Sequence, residues 1–274
     1  MINFNSTKKL NNGISIPTFG LGTYLNDNGK QAIDSMLYAM EIGYRHLDTA
    51  SMYNNEREVG QAVIESRIPR EKIFVTTKLW NSDHGYQNTL DAFHRSLDKL
   101  KLDYVDLYLI HWPVEELRLE SWRALEKLYS DGLCKAIGVS NFMEKHIYEL
   151  LENSQIIPAI NQVEFSPFLY LRDLQQYCDS KGIALESYSP LTKGYKLSDS
   201  RLTNIGEKYN KSTSQVLIRW CLQKGVICIP KSSKKEHIKE NADVFDFEIS
   251  EKDMILLDNL NENYHSTWDP TDVL

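Results

Sequence analysis

The sequence predicts an α/β fold, a closed (β/α)8 TIM barrel, and three observations carry that expectation. Short apolar runs rich in β-forming residues alternate with segments of 3.6-residue periodicity along most of the chain. Eight such runs can be counted, which suits a closed parallel barrel better than an open sheet. Polar and charged residues gather where those runs end, the face at which barrels of this kind hold their chemistry.

The elements follow in order. Leu10-Asn11-Asn12-Gly13-Ile14 is a tight-turn signal between two short strands, so a small N-terminal β-hairpin precedes the repeat. Strands are expected over residues 18–21, 45–47, 73–77, 105–110, 136–139, 159–163, 184–186 and 226–229. Helical periodicity lies between them, as in Ile33, Met36, Leu37 and Met40, and again in Leu90, Phe93, Leu97 and Leu100. Ser212-Thr213-Ser214-Gln215 reads as a capping box opening a helix that carries Val216, Leu217 and Trp220. Pro113, Pro167, Pro190 and Pro230 all follow strand candidates, where a missing N–H does least harm. An extra C-terminal helix is expected over residues 250–260, followed by an irregular tail to Leu274.

No low-complexity stretch, Gly/Ser linker or long charge run divides the chain, so residues 1–274 are expected to form one domain. With 42% hydrophobic and 25% charged residues the chain can bury a sizeable core. A formal net charge of -7 argues against nucleic acid or an anionic membrane as partner. The N-terminus lacks the apolar core of a signal peptide, and no apolar run approaches the ~18 residues that span a bilayer. Cys134, Cys178, Cys221 and Cys228 show neither Cys-x-x-Cys nor a metal-like His spacing; reduced thiols, no metal and a cytoplasmic address are expected. A monomer acting on a small molecule fits these bounds.

Strand two ends in Asp48, three in Lys78 and four in His111; Tyr53 follows Asp48 in the same loop. Strand five ends in Ser140-Asn141, six in Gln162 and Glu164, seven in Ser187-Tyr188-Ser189, and eight in Lys231-Ser232. Adjacent strands lie about 4.8 Å apart, so side chains from strands two to four can converge at the barrel mouth. Reduction of a carbonyl leaves a developing alkoxide that needs a proton. A tyrosine near 10 is a poor donor at neutral pH, and a nearby ammonium, held by a carboxylate, is expected to lower it. A histidine adds a hydrogen bond that orients the carbonyl. Asp48, Tyr53, Lys78 and His111 supply one of each.

The runs Gly43-Tyr44-Arg45-His46-Leu47-Asp48-Thr49-Ala50 with Tyr53, Thr77-Lys78-Leu79-Trp80 and Leu109-Ile110-His111-Trp112-Pro113 resemble the signature segments of the aldo-keto reductases. Ile137-Gly138-Val139-Ser140-Asn141-Phe142, Asn161-Gln162-Val163-Glu164, Tyr188-Ser189-Pro190-Leu191 and Ile229-Pro230-Lys231-Ser232 extend the likeness. It covers most of the chain and is nearest the compact microbial members, which reduce small aldehydes, glyoxals and diketo sugars. The resemblance implies Tyr53 as general acid, tuned by Lys78 and Asp48, with His111 positioning the carbonyl. It implies that Ser140, Asn141 and Gln162 hold the nicotinamide carboxamide and that Tyr188 stacks on the ring. Gly22, Thr23, Ser189 and Leu191 match positions lining the ribose and pyrophosphate, with Lys193 as a further candidate. Tyr24, Trp80 and Trp112 fall where aromatic walls of the substrate pocket belong, with Trp268 in the tail as a fourth candidate.

Gly20-Leu21-Gly22-Thr23-Tyr24-Leu25 half-matches a dinucleotide fingerprint, but lacks its third glycine and opens no βαβ unit. The better anion site is Lys231-Ser232, where strand eight runs into a helix that Ser233 and Glu236 are expected to cap with a capping box. Asn241 belongs to the same expected cofactor site. Relatives that prefer NADPH commonly carry an arginine where this chain has His237. The expected cofactor is therefore NADPH, with NADH left open by His237. Two alternatives stand beside a carbonyl reductase: a cofactor-binding regulatory or structural protein of the same fold, and a barrel isomerase that binds a sugar phosphate and no nicotinamide.

Overall fold

In the computed structural model, which describes residues 2–25 and 29–274, the expected hairpin consists of β1 (Thr7–Lys9) and β2 (Ser15–Pro17). They pair antiparallel with Lys8 opposite Ile16. The turn closes through Leu10 N–H to the Ile14 carbonyl at 2.8 Å. Leu10 and Ile16 turn inward and plug the lower end of the barrel, packing with Phe74, Leu107 and Ile227.

Eight parallel strands follow: β3 (Leu21–Gly22), β4 (His46–Asp48), β5 (Phe74–Leu79), β6 (Val105–Ile110), β7 (Cys134–Ser140), β8 (Ile160–Glu164), β9 (Ala184–Tyr188) and β10 (Ile227–Cys228). Each pairs with the next in chain order, as right-handed crossovers require. The ring closes across a seam between the first and last strands. There Cys228 N–H donates to the Thr18 carbonyl at 2.9 Å, and Gly20 and Gly22 donate to Cys228 and Pro230 at 3.0 and 3.2 Å. A Cβ on Gly22 would lie 2.9 Å from the Ile229 carbonyl, so the closure depends on that glycine. The run expected as strand one, residues 18–21, is thus largely seam. β5, β7 and β9 extend beyond their expected ends, and Tyr188 lies inside β9 rather than after it.

Ten helices are present among the described residues: α1 (Lys30–Glu41), α2 (Glu56–Glu65), α3 (Tyr86–Leu100), α4 (Arg118–Ser130), α5 (Glu144–Asn153), α6 (Arg172–Ser180), α7 (Ser200–Tyr209), α8 (Thr213–Gln223), α9 (Lys235–Ala242) and α10 (Glu251–Asp258). The capping box at α8 forms as expected, with Gln215 N–H on Ser212 Oγ at 3.3 Å and Ser212 N–H on Gln215 Oε1 at 2.9 Å. Ser250 caps α10 through Asp253 N–H at 3.2 Å. The capping box expected of Ser233 and Glu236 does not form. α9 starts one residue later than that box requires, after Lys234, and Ser232 instead turns the chain by accepting from Lys234 N–H at 3.1 Å.

Alternation along the strands divides their side chains between two environments. Leu47, Val75, Leu79, Tyr108, Ile110, Ile137, Val139, Val163 and Leu185 face outward into the layer beneath the helices. The inward set is apolar low in the barrel (Phe74, Leu107, Leu109, Ala136, Ile160) and polar above it (Asp48, Lys78, Gln162, Glu186). No helix among the described residues is long and apolar enough to cross a membrane.

Candidate active site

β4 ends on Asp48, and β5 carries Lys78 two residues beyond Thr76, the partner of Asp48 across the ladder. Both side chains therefore point into the upper barrel. Lys78 is fully buried, and its Nζ donates to Asp48 Oδ1 at 2.6 Å and to the Thr49 carbonyl at 2.9 Å. Its remaining reach is toward Tyr53 Oη at 3.4 Å. Tyr53 sits at the end of a single 3-10 turn, Ser51–Tyr53, which folds the loop after β4 back over the mouth. Ser51 Oγ pins that turn by donating to the Lys78 carbonyl at 3.0 Å.

His111, next after β6, meets Tyr53 edge to face with ring centroids 5.6 Å apart, and Trp80 at 5.3 Å. Tyr24 packs on Tyr53 from the other side at 4.9 Å. Tyr24, Tyr53, Trp80, His111 and Trp112 are all half-buried, so together they ring a mouth open to solvent. Trp268 is 59% exposed and joins no aromatic contact among the described residues; the tail touches the site instead through Thr267, whose hydroxyl meets Tyr188 Oη at 3.2 Å. Glu164 holds that tail, accepting Ser266 and Thr267 N–H groups at 2.9 and 3.1 Å and both hydroxyls.

Ser140, Asn141 and Gln162 stand side by side at the ends of β7 and β8. Asn141 takes a left-handed φ of 65°, which asparagine tolerates better than most residues. Its Nδ2 donates to the His111 carbonyl at 3.0 Å and to Ser140 Oγ at 3.2 Å, while Tyr188 Oη donates to its Oδ1 at 2.7 Å. Gln162 spends Nε2 on Asp48 Oδ2 at 2.8 Å and Glu186 Oε2 at 3.0 Å. Gln162 Oε1 and the second lone pair of Asn141 Oδ1 are then the acceptors left for an amide group. Those acceptors fit the amide N–H groups of a nicotinamide carboxamide.

After β9 the chain turns sharply through Ser189, Thr192 and Lys193, with φ of 48°, 50° and 50°. Lys193 Nζ lies 5.9 Å from the Tyr24 ring centroid, over the same mouth. Gly22 and Thr23 close the other side, Thr23 donating to the Asp48 carbonyl at 2.9 Å. Beyond the seam, Ser232 and Asn241 are buried, while Lys231 and His237 are exposed around the start of α9. Residues 26–28, just past Tyr24, lie outside the described residues. A groove of about 610 Å³ lined by Phe4, Ile14, Arg45, Phe74 and Tyr104 lies at the opposite end, under the hairpin, and contains none of these residues.

Burial dominates the ionisation of the cluster. It pushes Asp48 up, with the Lys78 ammonium and the Gln162 hydrogen bond pulling back. His111 is held well below its ordinary value by burial and then by Lys78, so it is a neutral imidazole at neutral pH. The sequence argument expects a lowered Tyr53, and here the structure corrects it. Burial, followed by the negative potential of Asp48, places Tyr53 well above 10, and one ammonium at 3.4 Å does not reverse that. The phenol is secured in its protonated form rather than made acidic in advance.

Sequence reasoning missed Glu186, His46 and the Glu164 clasp. Glu186 was legible by parity, standing two residues before Tyr188 on the inward face of β9. The clasp depends on the tail's path and left no local signal. Among the described residues no group of His, Cys, Asp or Glu is arranged to hold a metal ion.

The fold and this constellation define the class: the family model described as "Aldo/keto reductase family" matches residues 18–262, and the chain belongs to that family. It is an oxidoreductase that reduces carbonyl compounds with a nicotinamide cofactor. It is similar to the glyoxal reductase of Bacillus subtilis (strain 168), with 51% identity over 268 residues, 98% of this chain and 97% of that protein. It is also 46% identical to the 9,11-endoperoxide prostaglandin H2 reductase of Trypanosoma cruzi (strain CL Brener), covering 95% of this chain and 93% of that one. Among solved structures, an aldo-keto reductase from a Medee basin deep-sea metagenome library superposes with a TM-score of 0.94 at 45% identity, covering 97% and 99% of the two chains. A Bombyx mori aldo-keto reductase in complex with NADP superposes with a TM-score of 0.90 at 36% identity, covering 97% and 96%.

Proposed function

We propose that this chain reduces small aldehydes, dicarbonyls and keto sugars with NADPH, and that Tyr53 donates the proton. The observation that carries this is the buried chain from Asp48 through Lys78 to Tyr53, with links of 2.6 and 3.4 Å, ending at a half-buried mouth. Bound at the ends of β7 to β9, the nicotinamide would supply the hydride. Ser140, Asn141 and Gln162 would hold its carboxamide, and Tyr188, fixed by Asn141 and Thr267, would stack on its ring.

The chain's own residues handle the proton. The phenol of Tyr53 carries it at neutral pH, and Lys78 stabilises the phenolate as the alkoxide takes it up. Asp48 keeps the ammonium directed, and neutral His111 orients the carbonyl without adding a competing charge. Tyr24, Trp80 and Trp112 form an aromatic rim suited to small, modestly apolar carbonyls. The likeness to the Bacillus subtilis glyoxal reductase favours dicarbonyls within that range.

Gly22, Thr23, Ser189, Leu191, Lys231, Ser232, His237 and Asn241 are assigned to the ribose, pyrophosphate and adenine end. Lys231 and Ser232 favour NADPH, and His237 in place of arginine lets NADH compete. Residues 1–274 act as one barrel unit, a monomer of the cytoplasm with a small-molecule partner and no nucleic acid. A cofactor-consumption assay with NADPH and NADH across aldehydes, dicarbonyls and keto sugars tests this; no turnover with any of them would overturn it.

A further inference from the structure

Beneath the Lys78–Asp48 pair the barrel holds a second carboxyl that the proton-donating arrangement leaves unused. Glu186 on β9 is fully buried and in register with Gln162 on β8. One amide group links the two acids: Gln162 Nε2 donates to Glu186 Oε2 at 3.0 Å and to Asp48 Oδ2 at 2.8 Å. Among the described residues Glu186 Oε1 makes no hydrogen bond, and it faces His46 Nε2 at 3.7 Å. His46 is itself fully buried, shares Nε2 with Thr76 Oγ1 at 3.1 Å and leaves Nδ1 unpartnered. The ring has no room to shift toward the seam without disturbing it, since even a Cβ on Gly20 would stand 2.6 Å from Nδ1.

Lys78 supplies one positive charge against two carboxyls and is already engaged with Asp48. Ionising both acids leaves a buried negative charge without a partner, which burial disfavours. Burial, and then the neighbouring Asp48, accordingly push Glu186 up to about 8. The titratable groups around it are Asp48 and His46 on β4, Lys78 on β5 and Cys228 on β10, with Tyr53 above. His46 is held down to about 3 by burial, and burial pushes the Cys228 thiol well up, so neither changes charge near neutral pH.

We propose that Glu186 is a positioning residue for the proton donor. As a neutral acid it holds Gln162 between the two carboxyls and leaves Asp48 as the anion paired with Lys78. Its ionisation adds a negative charge beneath Tyr53 and slows proton donation. The proton transferred is still that of Tyr53, which becomes the phenolate as the substrate becomes the alcohol; Glu186 acts only through the field it sets. This role presupposes Tyr53 as the donor.

The test is the pH profile of kcat for NADPH-dependent reduction of 4-nitrobenzaldehyde in the parent and in Glu186→Gln, which cannot ionise. The parent should lose roughly fivefold between pH 7 and 9, as expected for a group titrating near 8, and the variant less than twofold. Glu186→Asp, which restores an ionisable group, should restore the fall. Carbon-13 NMR of glutamate-labelled parent gives a readout that needs neither turnover nor the variant's folding, namely a carboxyl titrating near pH 8. Superimposable profiles in an active parent and variant, or no glutamate titrating above pH 7, overturn this proposal alone. Absence of turnover at every pH overturns it together with the reductase reading.

Discussion

At the lower end of the barrel, Leu10, Ile16, Phe74, Leu107, Leu109 and Ile160 fill the interior with apolar side chains. At the upper end, Asp48, Lys78, Gln162 and Glu186 occupy the inward positions of those same or adjacent strands. Strand alternation is identical at both ends, and only the chemistry of the inward residue changes. Each fully buried aliphatic or aromatic side chain below contributes about 1.5–3 kcal/mol through removal from water. The upper cluster takes two carboxyls and an ammonium out of water, and pairing offsets that cost only in part. The lower end therefore supplies stability, and the upper end holds charges that stability elsewhere keeps in place.

That division makes the two ends separable by mutation. The largest effect is expected at the top: Tyr53→Phe should lower kcat by about 10²–10⁴ while NADPH affinity, followed by fluorescence quenching, stays within threefold. A kcat loss under tenfold would remove Tyr53 from the donor's role. At the bottom, Leu107→Ala should cost about 2–5 kcal/mol in urea unfolding yet leave kcat of the folded protein within twofold. A matching fall in kcat would show that the two ends are coupled.

The pH dependence of stability sharpens the contrast, because His46 and His111 border the polar cluster, His46 facing Glu186 and His111 facing Tyr53. His46 is held down to about 3 and His84 to about 4, both by burial first, and His111 lies well below 6.5. The unfolded chain protonates these histidines below pH 6.5 and the folded one does not, so stability falls with acid. His46 and His84 are each worth about 2 kcal/mol between pH 6.5 and 5. Glu186 works the other way: its raised value means that the folded state holds a proton the unfolded chain has lost between about 4.5 and 8, so stability falls as pH rises through that window. Glu186→Gln should accordingly steepen the acid-side loss measured by urea unfolding at pH 6.5 and 5; an unchanged slope would argue against the neutral acid.

The smallest effect belongs to the rim. His237→Arg should raise preference for NADPH over NADH by about tenfold, the worth of one charge-assisted contact to phosphate. Equal Kd ratios before and after would place His237 outside the 2'-phosphate site.

The barrel was legible because its signals are local. Apolar runs near Val105 and Ile160, the capping box at Ser212 and the turn at Asn12-Gly13 depend on neighbours a few residues away. The convergence of Asp48, Tyr53, Lys78 and His111 was legible for a related reason: in a barrel, a position at a strand's end fixes where a side chain points. The sequence by itself thus determined the elements, their order and the identity of the groups at the mouth.

Three matters were decided only by tertiary structure. The capping box expected at Ser233 failed because the turn after the seam delays the start of α9 until after Lys234. The tail reaches the site through Ser266 and Thr267, on a carboxylate more than a hundred residues earlier in the chain, rather than through Trp268. Ionisation went furthest from expectation. An ammonium beside Tyr53 can be read from the residues, but whether attraction or desolvation wins depends on burial, which exists only once the barrel has closed. At Tyr53 burial wins, and the same burial pushes Glu186, one acidic letter in β9 when read from the sequence, up to about 8.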